Sequence, residues 1–239
     1  MPDWFPSNKE ELMRMLDSFL SSSKKTNAKD EAVIHGMIVP HAGYVYSGEI
    51  AGKAFSLLKN KSKNIKKVII FGPSHYAAFK GISSLEKYET PLGKANIPKS
   101  SISKISHEHS VENQIPFLQR INLNIEILPV VVGRINWEEA EDIAKQFLKE
   151  NALFIFSTDL SHFLQYNEAV KKDLSTINII TNLKESELKG IDACGFYPLL
   201  ILLRMCKIKS WKPILVEYKN SGDITGDNDS VVGYASFLF

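Results

Sequence analysis

Lys67-Val68-Ile69-Ile70-Phe71-Gly72 is a short apolar run that leads into Pro73-Ser74-His75. A similar run, residues 33–39, leads into Pro40-His41. Continuous apolar runs of this length are typical of strands that are buried on both faces of a parallel sheet. Two more such runs follow along the chain, at 125–132 and 152–157. The sequence therefore predicts four buried strands, two of which lead into a histidine.

Segments with the periodicity of helices accompany these strands. They lie near 48–60, 110–121, 137–150 and 166–182, and an earlier helix is predicted to run from an N-cap at Ser7 to Leu20. Near the C-terminus, the runs 213–218 and 231–237 follow one another without a helix between them, as antiparallel strands do. We therefore predict a single α/β domain over residues 1–239, with a mostly parallel central sheet, helices on both faces and antiparallel C-terminal strands.

The composition excludes several kinds of partner. With 29 Lys and Arg against 27 Asp and Glu, the formal net charge is +2, so no overall field attracts nucleic acid. No apolar run approaches the roughly 20 residues that cross a bilayer, and the N-terminal residues lack the pattern of a signal peptide. Two cysteines, Cys194 and Cys206, do not make a disulfide framework. We predict a cytoplasmic protein that binds neither nucleic acid nor membrane.

Polar residues follow three of the predicted strands, at the sheet edge where ligands usually bind. They are His41, His75 and the stretch Asp159-Leu160-Ser161-His162. Imidazole binds iron, copper and zinc, and it transfers protons near neutral pH. These residues therefore predict a metal site or an acid/base site, although either histidine alone would also be compatible with a structural role. Asp159 is expected either to orient an imidazole or to cap a helix.

Cys194 precedes an apolar helical stretch, so the helix dipole is expected to favour its thiolate, which is a strong metal ligand. Cys206 lies inside that stretch and is predicted to be a buried packing residue. The helix near 110–121 is predicted to open at His107-Glu108-His109-Ser110-Val111-Glu112, where His109 and Glu112 either line the cavity or only start the helix. The sequence has no nucleophile elbow, Walker loop, dinucleotide fingerprint or His-Glu-x-x-His motif, which counts against hydrolases, nucleotide-binding proteins and zinc proteases.

Six patches of sequence together resemble the Memo family, also called AmmeMemoRadiSam system protein B, whose members are similar to class III extradiol, non-haem-iron dioxygenases. The patches are Pro40-His41-Ala42-Gly43-Tyr44 with Ser47-Gly48, Gly72-Pro73-Ser74-His75, Glu108-His109-Ser110-Val111-Glu112 with Pro116-Phe117, Ser157-Thr158-Asp159-Leu160-Ser161-His162, Cys194-Gly195 with Pro198, and Asp229-Ser230-Val231-Val232-Gly233-Tyr234-Ala235. They occur in family order and span most of the chain. The resemblance implies an α/β sheet sandwiched by helices.

The resemblance also implies a metal centre with one iron or copper ion per chain. Its ligands would be His41, His75 and Cys194. The resemblance places His162 and Asp159 beside this centre and His109 in the lining of the pocket, and we predict that these three residues are catalytic. We further predict that Tyr44, Tyr46 and Glu112 contact a substrate. The related dioxygenases use a carboxylate as the third ligand, whereas sulfur from Cys194 is softer and favours copper or redox-active iron.

Two functions are compatible with this resemblance. The first is a metal-dependent redox enzyme or oxygenase-like protein that acts on a small-molecule substrate. The alternative is a non-catalytic protein that keeps the dioxygenase-like pocket to bind a ligand or a peptide. The family label further implies partnership with an AMMECR1-type protein and a radical S-adenosylmethionine enzyme.

Overall fold

The computed structural model describes residues 4–21, 33–58, 65–121 and 125–239. Its strands are β1 (Gly36–Val39), β2 (Lys67–Pro73), β3 (Ile82–Leu85), β4 (Glu89–Thr90), β5 (Gly93–Lys94), β6 (Lys104–Ile105), β7 (Glu126–Val132), β8 (Leu153–Ser157), β9 (His162–Leu164), β10 (Ile214–Asn220) and β11 (Val231–Leu238). Its α-helices are α1 (Lys9–Ser21), α2 (Tyr44–Ser56), α3 (His109–Glu112), α4 (Ile115–Ile121), α5 (Trp137–Phe147), α6 (Tyr166–Thr181), α7 (Phe196–Lys209) and α8 (Ser221–Thr225), with a 3-10 helix at Glu185–Gly190.

Within the described residues, nine of these strands form one mixed sheet, in the order β10-β11-β1-β8-β2-β7-β3-β6, with β9 paired to β11. The four strands at its centre, β1, β8, β2 and β7, are parallel, as the apolar runs predict. β10 and β11 pair antiparallel with each other, and β11 pairs antiparallel with β1. The predicted antiparallel C-terminal extension is therefore confirmed.

Side chains alternate between the two faces of the sheet, and each face is covered by helices. Ile69 and Phe71 of β2 belong to a core cluster with residues of α5, α6 and α7. Val68 and Ile70 belong to a second cluster with residues of α1, α2 and α4. Because both faces bury apolar side chains, the central strands are continuously hydrophobic. No helix within the described ranges is long and apolar enough to cross a membrane.

Three predicted helix boundaries are wrong. α2 begins at Tyr44, four residues before the predicted start at Gly48, because Gly48 lies inside the helix where it packs against the ring of Phe19 on α1. The N-cap of α1 is Asn8, whose side-chain oxygen accepts the N–H of Glu11 at 3.0 Å, and not Ser7. The helix predicted over 110–121 is divided into α3 and α4.

Candidate metal centre

The carboxyl ends of β1, β2 and β8 meet at one edge of the sheet and bring the predicted site together. His41 follows β1, His75 follows β2, and the loop after β8 carries Asp159 and leads to His162. Cys194 reaches the same place from the segment before α7, where its backbone N–H donates to the carbonyl of Asp159. The sheet edge predicted from the apolar runs is therefore where the histidines, the carboxylate and the thiol converge.

One nitrogen each of His41 and His75 and the sulfur of Cys194 all lie within 4.8 Å of one another. The Nε2 of His41 is 3.2 Å from the Sγ of Cys194. Two imidazoles and a thiolate are ligands for iron, copper or zinc, and this spacing fits one ion between them. A carboxylate and a further histidine, Asp159 and His162, also lie within 4.8 Å of the sulfur.

Glu108 fixes the orientation and the tautomer of His75. It is fully buried, and its Oε1 lies 3.0 Å from the Nδ1 of His75 while its Oε2 accepts the backbone N–H of the same residue at 2.6 Å. Burial opposes ionisation, but the imidazoles of His109 and His75 and the N–H groups of His75 and Ser110 hold the pKa of this carboxyl well below its ordinary value. An ionised carboxylate at Nδ1 keeps the proton on that nitrogen and leaves Nε2 unprotonated, as a metal requires.

His41 has a different partner at its Nδ1 atom. Its Nδ1 lies 2.9 Å from the Oγ of Ser157, and that oxygen accepts a hydrogen bond from Nε2 of Gln114 at 2.9 Å. The pKa of His41 is lowered well below its usual value, mainly by burial. The positive charge of His75 or His109, when either is protonated, lowers it further. His41 is therefore neutral, and Nε2 faces the thiol with its lone pair when Nδ1 donates to Ser157.

Asp159 shapes the loop that carries His41. Its Oδ1 accepts the backbone N–H groups of His41 at 2.8 Å and of Ala42 at 3.3 Å, and its Oδ2 lies 3.9 Å from Nε2 of His41. Burial raises the pKa of this carboxyl despite those hydrogen bonds. The alternative that Asp159 caps a helix is wrong, because it lies between β8 and β9 and no helix follows it until Tyr166.

Cys194 has a different electrostatic environment from the one predicted. Helix α7 begins at Phe196 after Gly195, so the thiol lies before the first helical turn. Burial and the nearby negative charge of Asp159 raise the pKa of the thiol, so the expected dipole-stabilised thiolate is wrong for the metal-free side chain. A bound metal ion would itself favour the thiolate, since coordination releases the proton. Cys206 is fully buried inside α7, as predicted.

His109 lies behind the proposed ligands and is covered by the N-terminal segment. The indole of Trp4 stacks on its imidazole, with ring centres 4.1 Å apart and planes 6° apart. Its ring centre is 4.4 Å from that of His75 and 5.4 Å from that of His41. Its Nδ1 is 3.1 Å from Oε1 of Glu108, without the alignment of a regular hydrogen bond. Glu108 therefore lies between two imidazoles.

The three residues predicted to contact a substrate, Tyr44, Tyr46 and Glu112, lie in different environments. Tyr44 is buried in the core, where its hydroxyl donates to the carbonyl of Asn113 at 2.7 Å. Glu112 is also buried, and its Oε1 accepts the N–H of Glu108 at 2.9 Å, which ties the two ends of α3. Tyr46 is exposed near the start of α2. Contact with a substrate remains a prediction for all three.

The sequence alone assigns no role in the site to several residues that build it. They are Glu108, Ser157, Gln114 and Trp4. Glu108 directly precedes α3 and accepts the N–H of Ser110 at 3.1 Å, so the sequence indicates only an N-cap there. Its contact with His75 joins residues 33 positions apart, and no local pattern reports such a contact.

Comparisons with known proteins identify relatives of this chain. A family model described as "Memo-like protein" matches residues 3–238. The chain is 35% identical to a MEMO1 family protein of Aquifex aeolicus, with 99% of this chain and 96% of that protein covered. It is 35% identical to a MEMO1 family protein of Methanobrevibacter smithii, over 99% of this chain and 96% of the relative. A third relative, from Thermoplasma volcanium, is 33% identical over 98% of this chain and 94% of its own length.

Proposed function

The chain belongs to the family of Memo-like proteins, and from this membership we propose that it binds one iron or copper ion through His41, His75 and Cys194 and serves as a redox enzyme or oxygenase-like protein. The observation that carries the proposal is the convergence of three ligand atoms within 4.8 Å of one another. The contact of Nδ1 of His75 with the carboxylate of Glu108 supports it, because this contact leaves Nε2 of His75 available. The contact of Nδ1 of His41 with Ser157 leaves Nε2 of His41 facing the thiol.

A bound iron or copper ion would supply one-electron redox chemistry. The protein would supply the remaining functions. His162 is suited to accept or donate a proton, because one of its nitrogens lies within 4.8 Å of Cys194 and Asp159 and its side chain is only partly buried. Asp159 would orient the loop of His41, and His109 would share the charge of Glu108 with His75. Because Cys194 replaces a carboxylate, we do not extend the proposal to extradiol ring cleavage.

Metal stoichiometry tests the binding part of the proposal. Protein purified and loaded anaerobically with ferrous iron or with copper is expected to retain about one ion per chain after desalting. His41→Ala and Cys194→Ser should each lose the stoichiometric ion. Cys206→Ala is the matched control, because that thiol is buried in α7 away from the site, and it should bind metal as the unaltered protein does. Absence of a stoichiometric ion, or equal binding in Cys194→Ser and Cys206→Ala, would reject the proposal.

Turnover needs a separate measurement, because a metal site alone is not catalysis. Metal-loaded protein is expected to consume oxygen when a catechol-like substrate is added, and His162→Ala should slow that consumption while it keeps the metal. If the loaded protein consumes no oxygen but still binds such a molecule with the same affinity after metal removal, the non-catalytic binding function is supported instead.

A further inference from the structure

Phe163 combines a strained backbone with an exposed aromatic ring. Its φ angle is +58°, in the left-handed region that disfavours residues with a Cβ atom. Among the described residues, Leu183 and Ser210 are the other non-glycine residues with positive φ, and they follow the ends of α6 and α7, where this conformation is common. Phe163 instead lies in the middle of β9. Its conformation therefore needs another explanation.

The pairing of β9 with β11 shows how the strain arises. Val231 pairs with Leu164 and Val232 pairs with His162, so Phe163 is an extra residue that has no opposite partner. This is a β-bulge, a device that re-aims a side chain and is common beside functional sites. Glycine is the usual residue at the left-handed position of such a bulge. A phenylalanine at this position lowers the stability of the fold, and the backbone conformation itself would favour glycine.

The side chain gains little packing in return. Phe163 is 75% exposed, the highest value among the large hydrophobic residues whose exposure is described. It stands beside His162, with ring centres 5.7 Å apart. Since His162 has a nitrogen within 4.8 Å of the sulfur of Cys194, the ring of Phe163 stands next to a residue that borders the proposed metal centre.

The surrounding backbone holds the bulge in place. The N–H of Ser161 donates to the buried carboxylate of Asp173 at 2.9 Å, and the carbonyl of Ser161 accepts the N–H of Gly233 at 2.9 Å. On the other side, the N–H of Tyr166 donates to the carbonyl of Asn228 at 3.0 Å. A strained residue persists where its neighbours fix it in this way, and such residues cluster at sites that contact ligands.

A second exposed aromatic ring lies on another side of the centre. Tyr76 is 51% exposed, and its ring centre is 5.3 Å from that of His109 and 6.5 Å from that of His75. Exposed rings therefore stand beside histidines of both the β2 and the β8 strand ends. Such rings bind flat apolar groups, because stacking on the face of an aromatic ring needs neither charge nor a hydrogen bond.

We propose that Phe163 is a specificity-determining residue, whose ring the bulge holds beside His162 so that it stacks on a planar apolar group of the small molecule that occupies the metal centre. The inference rests on the proposed function, which identifies this site as a metal centre. It adds that the ligand carries a planar apolar group. It explains both the strained backbone and the exposed ring, since each is a cost that a bound ligand offsets.

The test uses 2-naphthol as a planar probe and decahydro-2-naphthol as its saturated counterpart, with binding followed by NMR on metal-free and metal-loaded protein. The unaltered protein should prefer the planar probe. Phe163→Gly should weaken planar binding by about two- to ten-fold, and it should also raise the melting temperature because glycine accepts the positive φ. Phe163→Trp should retain the preference. Ser210→Gly is the matched control, because it relieves the same backbone conformation at an exposed position outside the site.

Two results would overturn the proposal: no preference for the planar probe in the unaltered protein, or an unchanged preference in Phe163→Gly. The second would assign the exposed ring to contact with another macromolecule. Failure of the proposed function is a distinguishable result, since the unaltered protein would then retain no metal. In that case, a planar preference of the metal-free protein that Phe163→Gly abolishes would still support the role of Phe163.

Discussion

Replacement of Glu108 by glutamine is expected to weaken metal binding without unfolding the protein. The carboxylate accepts the N–H groups of His75 and Ser110 and lies 3.0 Å from Nδ1 of His75. A glutamine has one oxygen for these donors, so its NH₂ group must face one of them. When it faces Nδ1 of His75, that nitrogen becomes the acceptor and the ring proton moves to Nε2, which then cannot bind a metal ion.

The loss of such a partner typically reduces metal affinity by about 10- to 100-fold, which corresponds to about 1.4–2.7 kcal/mol. Competition titrations against a chelator, under anaerobic conditions, measure this change. Glu112→Gln is the matched control: Glu112 is also buried on α3, and its Oε1 accepts the backbone N–H of Glu108. Circular dichroism checks that both variants fold. Equal affinities of Glu108→Gln and Glu112→Gln would refute the reasoning.

Two further predictions concern stability. Gly52→Ala should lower the free energy of unfolding by about 1–3 kcal/mol, because its methyl group would lie 2.9 Å from the backbone carbonyl carbon of Phe19. Urea unfolding measures this change in free energy. A change below about 0.5 kcal/mol would contradict the tight contact of α1 with α2. The lowered pKa of His41 means that, as pH falls below about 6.5, the unfolded chain gains a proton that the folded metal-free chain does not. Stability should therefore fall by about 1 kcal/mol between pH 6.5 and 5.5 from this residue alone, and His41→Gln should remove that loss; an identical pH dependence in both proteins would contradict it.

The central sheet could be predicted because its information is local. Each of the parallel strands is a continuous apolar run that ends at Pro, Gly or a polar residue, and β2 shows this over Lys67–Pro73. The start of α2 could not be predicted in the same way. Gly48 looks like a helix start in the sequence, but it is required for the close approach of Phe19, a contact between two helices that no local pattern records.

In the candidate site, too, some features follow from local sequence and others depend on long-range contacts. The strand-end positions of His41 and His75 follow from the sequence, because they depend only on where apolar runs stop. The roles of Glu108 and Ser157 depend on long-range contacts, which the fold alone creates. The predicted thiolate of Cys194 is wrong for a related reason: the sequence indicates only the helix dipole, whereas burial and the charge of Asp159 dominate in the folded protein and raise the pKa of the thiol.

The most direct test of the account is X-ray absorption spectroscopy at the edge of the bound metal, with iron or copper loaded anaerobically. The account predicts one sulfur ligand and two imidazole nitrogen ligands in the unaltered protein, and loss of the sulfur contribution in Cys194→Ser but not in Cys206→Ala. A coordination shell of nitrogen and oxygen alone in the unaltered protein would contradict the claim that His41, His75 and Cys194 hold the ion.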